Sequence, residues 1–302
     1  MFDIVSLHGI LTFSGFIERK RSDFLNHMWR MLLRFALRFY PFQRGRTRLA
    51  NLLLGGSGSK ELIPFEGFQL EVDLSQLTSR LIFLFGFSEP VEIANLKPFL
   101  PRGFIAMDVG ANIGEYSLSM AARAGGTGKV YAFEPDPGSY YLLSLNIIRN
   151  RLDSRIHAER IALTDYCGEA ILKLDRDGAR NTIAPQARLP EPRGELRIPC
   201  LTIDRFVEIA HLDRLDFIKI DAEGAELSIL RGGRKALTDF RPVILAEVRE
   251  DLNQRFGVSN KDVLGYLKSL GYAAFFVYGK KMTMVASEKA KNGNLFFIPD
   301  GR

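Results

Sequence analysis

Cysteine is scarce in this chain. Cys167 and Cys200 are the only two among 302 residues, and neither belongs to a closely spaced cysteine pair or a cysteine–histidine cluster. This scarcity argues against a disulfide framework and against a structural zinc site. Two isolated thiols are typical of a protein kept in a reducing compartment. Stability should therefore come from an ordinary apolar core, for which a hydrophobic content of 46% is sufficient.

The sequence also lacks an uninterrupted apolar run of the roughly 20 residues that a membrane-spanning helix needs. The apolar stretch from Phe24 to Tyr40 is interrupted by Arg30, Arg34 and Arg38, and charges within a span are costly. Residues 1–16 do not show the order of basic region, apolar run and small-residue cleavage site that marks a signal peptide. We therefore expect a cytoplasmic protein.

Acidic residues are nearly missing between Arg19 and Arg48. This segment holds nine basic residues and a single acid, Asp23, within a chain of formal net charge +6. The rest of the chain is therefore close to neutral or slightly acidic. A helix here would carry three arginines, at 30, 34 and 38, on one face.

Two interpretations of this basic helix stay open. It could lie on an anionic membrane surface with its arginines at the headgroups, which makes residues 19–48 a candidate for peripheral membrane contact. It could instead pack across the catalytic domain or a subunit partner with its arginines towards water, and this second interpretation is slightly favoured. The oligomeric state cannot be derived from the sequence.

Composition divides the chain into two parts. The glycine- and serine-rich stretch Gly55–Ser59 has the composition of a flexible joint. We predict a basic helical extension over residues 1–58 and a Rossmann-like domain over residues 59–302. The second part should begin with a strand pair, Leu62–Phe65 and Phe68–Leu74, followed by a short helix that starts at Pro90.

From residue 103 onward, apolar strands alternate with segments of helical spacing. The expected strands are 104–107, 130–133, 156–163, 217–220 and 243–248, and the expected helices are 113–124, 138–150, 225–237 and 262–270. Such alternation predicts an α/β fold with a mostly parallel sheet. Two further strands, 273–278 and 294–298, are joined by a lysine-rich turn and should form a closing pair.

The most specific local feature is the sequence Asp108-Val-Gly-Ala-Asn-Ile-Gly114, which follows one strand and opens a helix. A glycine-rich turn alone is weak evidence, since tight turns occur in every α/β protein. However, Asp108 stands at the carboxyl end of its strand, where open α/β sheets bind ligands. The next strand ends in Glu134, which is placed to accept hydrogen bonds from ribose hydroxyls. Together these features predict a nucleoside-binding site.

The phosphate-binding motifs of nucleotide enzymes are absent. Asn112 stands where a dinucleotide fingerprint needs its second glycine, and no G-x-x-x-x-G-K-[ST] loop occurs anywhere. The loop is therefore unsuited to a diphosphate. A carboxylate beside it, Asp108, suits a ligand with a cationic amino and sulfonium portion better than one with phosphates.

Five segments of the sequence resemble the FkbM-type methyltransferases and follow that family's order: Asp108–Ser117, Ala132–Pro135, Leu201–Asp204, Phe217–Glu226 and Pro242–Glu247. Asn294–Phe297 fits as well. The resemblance runs from about residue 80 to the C-terminus and does not cover the basic extension. One departure is mild, because Ala222 stands where the family has valine.

The resemblance implies a class I methyltransferase whose seven-stranded, mostly parallel sheet ends in an antiparallel strand pair. It further implies the cofactor S-adenosylmethionine and O-methylation, commonly of a sugar or polyketide hydroxyl. By this match the methionine part of the cofactor would contact Asp108, Gly110, Asn112 and Gly114. The ribose diol would bind Glu134, and the adenine would lie near Ala162 and Asp165.

The reacting end should lie where the strand 217–220 stops. Alternation places Lys219 and Asp221 on one face of that strand, and its tip points Asp221 and Glu223 into the cleft. A carboxylate there could orient and deprotonate an acceptor hydroxyl. We assign this role to Asp221 or Glu223, with Glu247 on the next strand as a second acid. Three acids could also hold Mg²⁺, but no histidine joins them and we expect no metal.

Three other functions remain as alternatives. A nucleic-acid methyltransferase would fit the basic pI, although the basic charge lies away from the expected cleft. A nicotinamide oxidoreductase would fit the fold but not the glycine loop. A non-catalytic scaffold would not need the loop and Glu134 together. We therefore expect an O-methyltransferase acting on a glycan, a glycolipid or a related small molecule, without nucleic-acid partners.

Overall fold

A computed structural model of the chain describes residues 28–37, 45–56, 58–123, 126–285 and 292–301. The helices are 28–37 (α1), Arg46–Leu54 (α2), Leu77–Phe85 (α3), Pro90–Ala94 (α4), Glu115–Arg123 (α5), Pro137–Arg149 (α6), Ile203–Ile209 (α7), Glu226–Gly232 (α8), Arg234–Phe240 (α9), Glu250–Asn253 (α10) and Asn260–Ser269 (α11). The strands are Lys60–Phe65 (β1), Phe68–Asp73 (β2), Ile105–Val109 (β3), Lys129–Phe133 (β4), Ile156–Glu159 (β5), Ala162–Leu163 (β6), Gly168–Asp175 (β7), Pro192–Leu201 (β8), Phe217–Ile220 (β9), Val243–Val248 (β10), Tyr272–Tyr278 (β11), Lys281–Met284 (β12) and Gly293–Pro299 (β13).

The central sheet has eight strands in the order β12-β11-β13-β10-β9-β3-β4-β5. Strands β5, β4, β3, β9 and β10 are mutually parallel, and β13 runs antiparallel between β10 and β11. This arrangement confirms the α/β class and the antiparallel pair at the end of the chain. An eighth strand, β12, lies in the segment expected to be a lysine-rich turn, where it pairs with β11 at the edge of the sheet.

The middle of this sheet is buried on both faces. Every residue of β9 is buried, and β3 and β10 are almost entirely so. One apolar cluster includes Phe104 and Phe217, and a second, on other side chains of the same strands, includes Ile218 and Ile244. Burial on both faces is the normal state of a parallel sheet covered by helices. The carboxyl ends of β3, β4, β9 and β10 consequently meet at one edge, where the candidate site lies.

The strand pair before the core is a hairpin, as expected. β1 and β2 pair in register from Lys60–Asp73 to Phe65–Phe68, around a turn at Glu66 and Gly67. Both turn residues have positive φ, of 52° and 85°, which is the backbone that a two-residue hairpin favours.

A second sheet of three strands, in the order β6-β8-β7, was not expected. The sequence predicted one strand over 156–163, but the chain leaves the central sheet after Glu159, and β6 pairs with β8 instead. The arginine- and proline-rich segment before Leu196 contributes the start of β8, which pairs with β7. The single helix expected over 225–237 is likewise divided, because Gly233 separates α8 from α9.

The N-terminal helices pack on the same core as the hairpin. Leu33 and Leu37 of α1 lie against the cluster that includes Ala50 and Leu54 of α2. The division of the chain at residue 58 stays a prediction. None of the helices among the described residues is long and apolar enough to cross a membrane.

The arginines of α1 face the protein, which differs from both interpretations of the basic helix. Arg34 is buried and donates a hydrogen bond to the carbonyl oxygen of Pro64, and Arg30 forms an ion pair of 2.9 Å with Glu61. The face turned to solvent is apolar instead. Arg38 and the basic residues before α1 lie outside the described residues.

Candidate active site

The glycine loop between β3 and α5 is held against the neighbouring strands. The N–H groups of Gly110 and Ala111 both donate to the carbonyl oxygen of Phe133, at 2.9 and 3.0 Å. Gly110 has φ of 75°, and a Cβ atom there would lie 1.9 Å from the carbonyl oxygen of Asp221. Only glycine therefore lets this loop approach the end of β9 so closely.

Glu134 follows β4 and faces this loop. Its carboxylate accepts hydrogen bonds from the N–H groups of Asn112, at 2.9 Å, and Asp136, at 2.8 Å. Burial raises the pKa of Glu134 to about 7 despite these two bonds. Each carboxylate oxygen retains a second lone pair for a ligand hydroxyl, so the side chain can accept from both hydroxyls of a ribose.

Asp108 lies behind the wall of the cavity. It is fully buried, and its Oδ2 accepts a hydrogen bond of 2.6 Å from Ser117. Among the residues that the structure describes, its Oδ1 has no hydrogen-bond partner, and Lys219 Nζ lies 3.9 Å from this oxygen. Gly114 also lies off the cavity surface, since a Cβ there would meet Leu143 of α6 at 2.8 Å. Asp108 and Gly114 therefore support the glycine loop from the side away from the cavity.

Lys219 connects the loop with the reacting end. Its buried ammonium lies 3.2 Å from the carbonyl oxygen of Gly110, 3.3 Å from Asp221 Oδ2 and 5.0 Å from the centre of the Tyr116 ring. Burial alone would lower the pKa of Lys219, but the surrounding carboxylates, with Asp221 and Asp108 foremost, outweigh it and raise the pKa. The ammonium therefore stays charged and serves as a fixed cation.

Asp221, Glu223 and Glu247 form a compact cluster of acids, as the sequence predicted. One carboxylate oxygen of each lies within 4.8 Å of the others. Glu223 adopts a positive φ of 53°, a conformation that is uncommon for a residue with a side chain and is often found at functional sites. Each acid also has a cation nearby, and the partners are Lys219 at 3.3 Å, Arg255 at 3.6 Å and Arg249 at 3.8 Å, respectively.

Two members of this acid cluster have strongly raised pKa values. Burial, with the nearby Asp221, raises the pKa of Glu223 to about 8. Burial and the same neighbours raise the pKa of Glu247 to about 9. A carboxylate whose pKa lies near or above neutrality accepts a proton from a hydroxyl more readily than an ordinary one. The three oxygens also have the chemistry of a divalent-cation site, so the expectation that no metal binds stays a prediction.

Two further acids of the site, Glu89 and Glu115, were not assigned a role in the sequence analysis. Glu89 accepts hydrogen bonds of 2.6 Å from Tyr116 and from Asn294, and burial with the charge of Asp221 raises its pKa to about 7. Glu115 accepts a hydrogen bond of 2.8 Å from the N–H of Ser88. No local motif could have identified these side chains, because Glu89 and Asn294 are 205 residues apart in the sequence.

A cavity of about 420 Å³ is lined by the glycine loop, Glu134, Lys219, Glu89 and the acid cluster, and its volume is in the range of small-molecule sites. One end has an apolar wall that includes Phe133, Ile161, Ala162 and Leu163, which suits a flat base. Asp165 is exposed and lies outside the wall. The other end contains the acids and Arg249.

Residues 176–182, here called the strap, close one side of the cavity. Leu77 donates its N–H to Asp177 at 3.4 Å, and Gln76 contacts the backbone of both Arg176 and Gly178. At its other end, Thr182 donates to the carbonyl oxygen of Glu223 at 3.3 Å. The strap thus links the start of α3 to the acid cluster.

Comparison with protein families supports one assignment. The model of the methyltransferase FkbM domain matches residues 108–274, which is more than half of the chain. The matched span begins at Asp108 and contains the glycine loop, Glu134 and the acid cluster. It does not contain Glu89 or the N-terminal helices.

Curated relatives are methyltransferases. The hexuronic acid methyltransferase AglP of Haloferax volcanii is 28% identical over 53% of this chain and 59% of its own length. The methyltransferase sdnD of Sordaria araneosa is 32% identical over 47% of this chain and 63% of its own length. The chain thus spans about three fifths of the length of the curated relatives it matches.

Solved structures show weaker likeness. A methyltransferase FkbM from Methylobacillus flagellatus is 18% identical, with a TM-score of 0.43 over 83% of this chain and 59% of the other. An O-methyltransferase from Bacillus cereus, solved with SAH, is 12% identical, with a TM-score of 0.45 over 91% of this chain and 99% of the other.

Proposed function

Because the chain belongs to the FkbM family of S-adenosylmethionine-dependent methyltransferases, we propose that it methylates a hydroxyl oxygen of a sugar, a glycolipid or a related hydroxylated metabolite. The observation that carries the proposal is the acid cluster of Asp221, Glu223 and Glu247, which shares one cavity with the glycine loop and Glu134. The relative named for hexuronic acid makes a sugar hydroxyl the first acceptor class to test.

The donor set of the cavity fits S-adenosylmethionine. Glu134 would hold the ribose diol, and the loop around Gly110 and Asn112 would lie along the methionine part. Asp108, which lies behind this loop, would support the loop without contacting the cofactor. Ala162 and its apolar neighbours would contact the adenine. The bound cofactor supplies an electrophilic methyl group on a sulfonium cation. Carboxylates around the cavity favour that positive charge, whereas they would repel the diphosphate of a dinucleotide.

The chain's own contribution at the reacting end is to orient the acceptor and to take its proton. Asp221 and Glu223 stand at the tip of β9 and Glu247 at the end of β10, so an acceptor hydroxyl could donate to any of them. Once ionised, Glu223 and Glu247 are stronger bases than ordinary carboxylates because of their raised pKa values. Lys219 fixes Asp221 and the glycine loop relative to each other and keeps its proton throughout.

The charge distribution disfavours a nucleic-acid acceptor. Nucleic-acid binding depends mainly on cations that contact phosphates, yet the cavity wall contains Glu89 and the acid cluster. Arg30, Arg34 and Arg46 of the basic segment form hydrogen bonds within the protein.

The test compares methyl transfer by the wild type and by the variants Asp221→Asn, Glu223→Gln and Glu247→Gln. A labelled methyl donor and a panel of hexuronic acids, neutral sugars and glycolipids would identify the acceptor. We expect the variant that lacks the base to lose about 10²–10⁴-fold in kcat, while its affinity for S-adenosylmethionine falls far less. Glu208→Gln, on the exposed side of α7, is the matched control and should keep full activity.

Two results would contradict this assignment. One is a triple amide variant that is folded and fully active, which would mean that none of the three acids accepts the proton. The other is a wild type that loses activity when a chelator is added and recovers it only when a divalent cation is supplied, which would make the three acids metal ligands. Absence of S-adenosylmethionine binding by the folded wild type would reject the activity itself.

A further inference from the structure

Helix α1 presents large apolar side chains to solvent. Trp29 is 60% exposed, Leu32 56% and Phe35 74%, and Met28 and Met31 are exposed beside them. Positions 28, 29, 32 and 35 recur at helical spacing, so these side chains form one continuous face. Exposed apolar surface of this size is uncommon on a soluble monomer and marks a site of interaction.

The orientation of this face is fixed by the two arginines on the opposite side of the helix. Arg30 donates hydrogen bonds to Ser59, just before β1, and to Glu61 on β1. Arg34 donates to the carbonyl oxygen of Pro64 at 2.8 Å. Leu33 and Leu37, on the same side of the helix, pack on the core. The helix is therefore attached through the side that carries these two leucines and the two arginines, and the exposed apolar side chains point away from the protein.

The charge of the surrounding segment decides what can cover the face. Nine basic residues and one acid lie between Arg19 and Arg48, and Arg48 is exposed on α2. A second copy meeting the same face would bring two strongly positive segments together, which is unfavourable at low salt. Arg30, Arg34 and Arg46 bond within the protein, so the positive charge available to a partner comes from the other six basic residues of the segment. An anionic lipid surface supplies both an apolar layer for the aromatic side chains and negative charge for these six.

We propose that the exposed face of α1 docks the protein on an anionic phospholipid bilayer. Trp29, Leu32 and Phe35 would enter the boundary between headgroups and acyl chains. The exposed Arg48 and the net positive charge of the segment 19–48 would favour anionic headgroups. This docking is independent of methyl transfer, and it would bring the protein to acceptors that are displayed at a membrane surface.

Vesicle co-sedimentation of the full chain tests the proposal. The probes are vesicles of phosphatidylcholine alone and of phosphatidylcholine with phosphatidylglycerol, each at low and at high salt. The wild type should bind the anionic vesicles, and more weakly as salt rises. The double variant Trp29→Glu/Phe35→Glu should lose about ten-fold or more in its partition coefficient, because binding scales with the apolar area inserted.

Ile209→Glu is the matched control, since Ile209 is 51% exposed on α7, far from α1 in the sequence. This variant should bind vesicles like the wild type, and both variants should bind S-adenosylmethionine with wild-type affinity, which shows that they are folded. The proposal is overturned if the wild type binds neither kind of vesicle. It is also overturned if the double variant and Ile209→Glu lose vesicle binding equally. A third contrary result is a wild-type dimer in sedimentation velocity that the double variant no longer forms, together with no vesicle binding by either protein.

Discussion

Glu134 receives two backbone N–H groups, from Asn112 and Asp136, before any ligand arrives. These bonds fix the orientation of the carboxylate, so ribose binding would not have to order it. Such pre-organisation lowers the entropic cost of association. The residue thereby connects the glycine loop to the start of α6.

Replacement of Glu134 by alanine should weaken S-adenosylmethionine binding by about 1.5–3 kcal/mol, or roughly ten- to a hundred-fold in Kd, because hydrogen bonds to a charged group are lost. Isothermal titration calorimetry with S-adenosylmethionine measures this change in Kd, and a separate titration with NAD⁺, which should not bind, tests the identity of the cofactor. Glu159→Ala, at an exposed neighbouring strand end, is the control. Equal affinities of the two variants would remove Glu134 from the cofactor site.

At the scale of single residues, the sequence could indicate only those groups that a local motif holds together. The loop from Asp108 to Gly114 and the acid at Glu134 belong to one β-α-β unit, so their spacing sufficed. Glu89 could not be found in this way, because its partners Tyr116 and Asn294 come from distant parts of the chain. The burial of Asp108 behind Lys219 also depends on strand order, which a motif does not contain.

Among the elements, the strap of residues 176–182 is the one that closes the cavity by contacts at its two ends. Gln76 bonds it to the start of α3, and Thr182 bonds it to the loop that carries Glu223. The sequence of the strap, Arg-Asp-Gly-Ala-Arg-Asn-Thr, is polar and has no apolar periodicity, so it resembles that of any surface loop and does not predict this position.

Loss of the Gln76 contacts should loosen the strap. We expect Gln76→Ala to weaken S-adenosylmethionine binding by about two- to ten-fold, mainly through faster dissociation, because two hydrogen bonds of roughly 0.5–1.5 kcal/mol each are removed. Stopped-flow fluorescence would measure the rate. Gln254→Ala, at an exposed position whose side chain donates a hydrogen bond to the half-buried Glu250, is the control. An unchanged dissociation rate in Gln76→Ala would mean that the strap does not retain the cofactor.

Element prediction succeeded where periodicity was clear and failed where it was not. The alternating strands and helices of the core gave the sheet, and the Glu66-Gly67 turn gave the hairpin. Helix α1 is apolar on most of its surface, so periodicity could not tell which side packs. The decision depends on Glu61 and Pro64, which offer partners to the arginines.

Across the whole molecule, buried carboxyl groups accumulate at one end of the sheet. Burial raises the pKa values of six glutamates to about 7 or higher: Glu89, Glu115, Glu134, Glu223, Glu226 and Glu247. Groups that prefer to be neutral in the folded state oppose folding when they must ionise. The site thus lowers the free energy of unfolding of the protein, as is common for functional sites.

The sign of the pH dependence follows from these shifts. Between the ordinary pKa of about 4.5 and the raised values of about 7 to 9, the folded state binds more protons than the unfolded state. The free energy of unfolding should therefore fall as pH rises through this window, by on the order of 3 kcal/mol for each glutamate whose pKa is raised from 4.5 to about 7. Urea unfolding at several pH values measures it. Glu247→Gln should flatten the curve above pH 7 and Glu208→Gln should not; a stability that rises with pH would contradict the assignment.

The acid-lined cavity also distinguishes the two forms of its cofactor. The methyl donor carries a positive sulfur, and the spent form has a neutral thioether. Glu89, Glu223 and Glu247, which burial holds towards the neutral form, are stabilised in their ionised form by the positive sulfur, and this stabilisation vanishes once the methyl group has left. The same carboxyl groups that oppose folding thus favour the exchange of used cofactor for fresh.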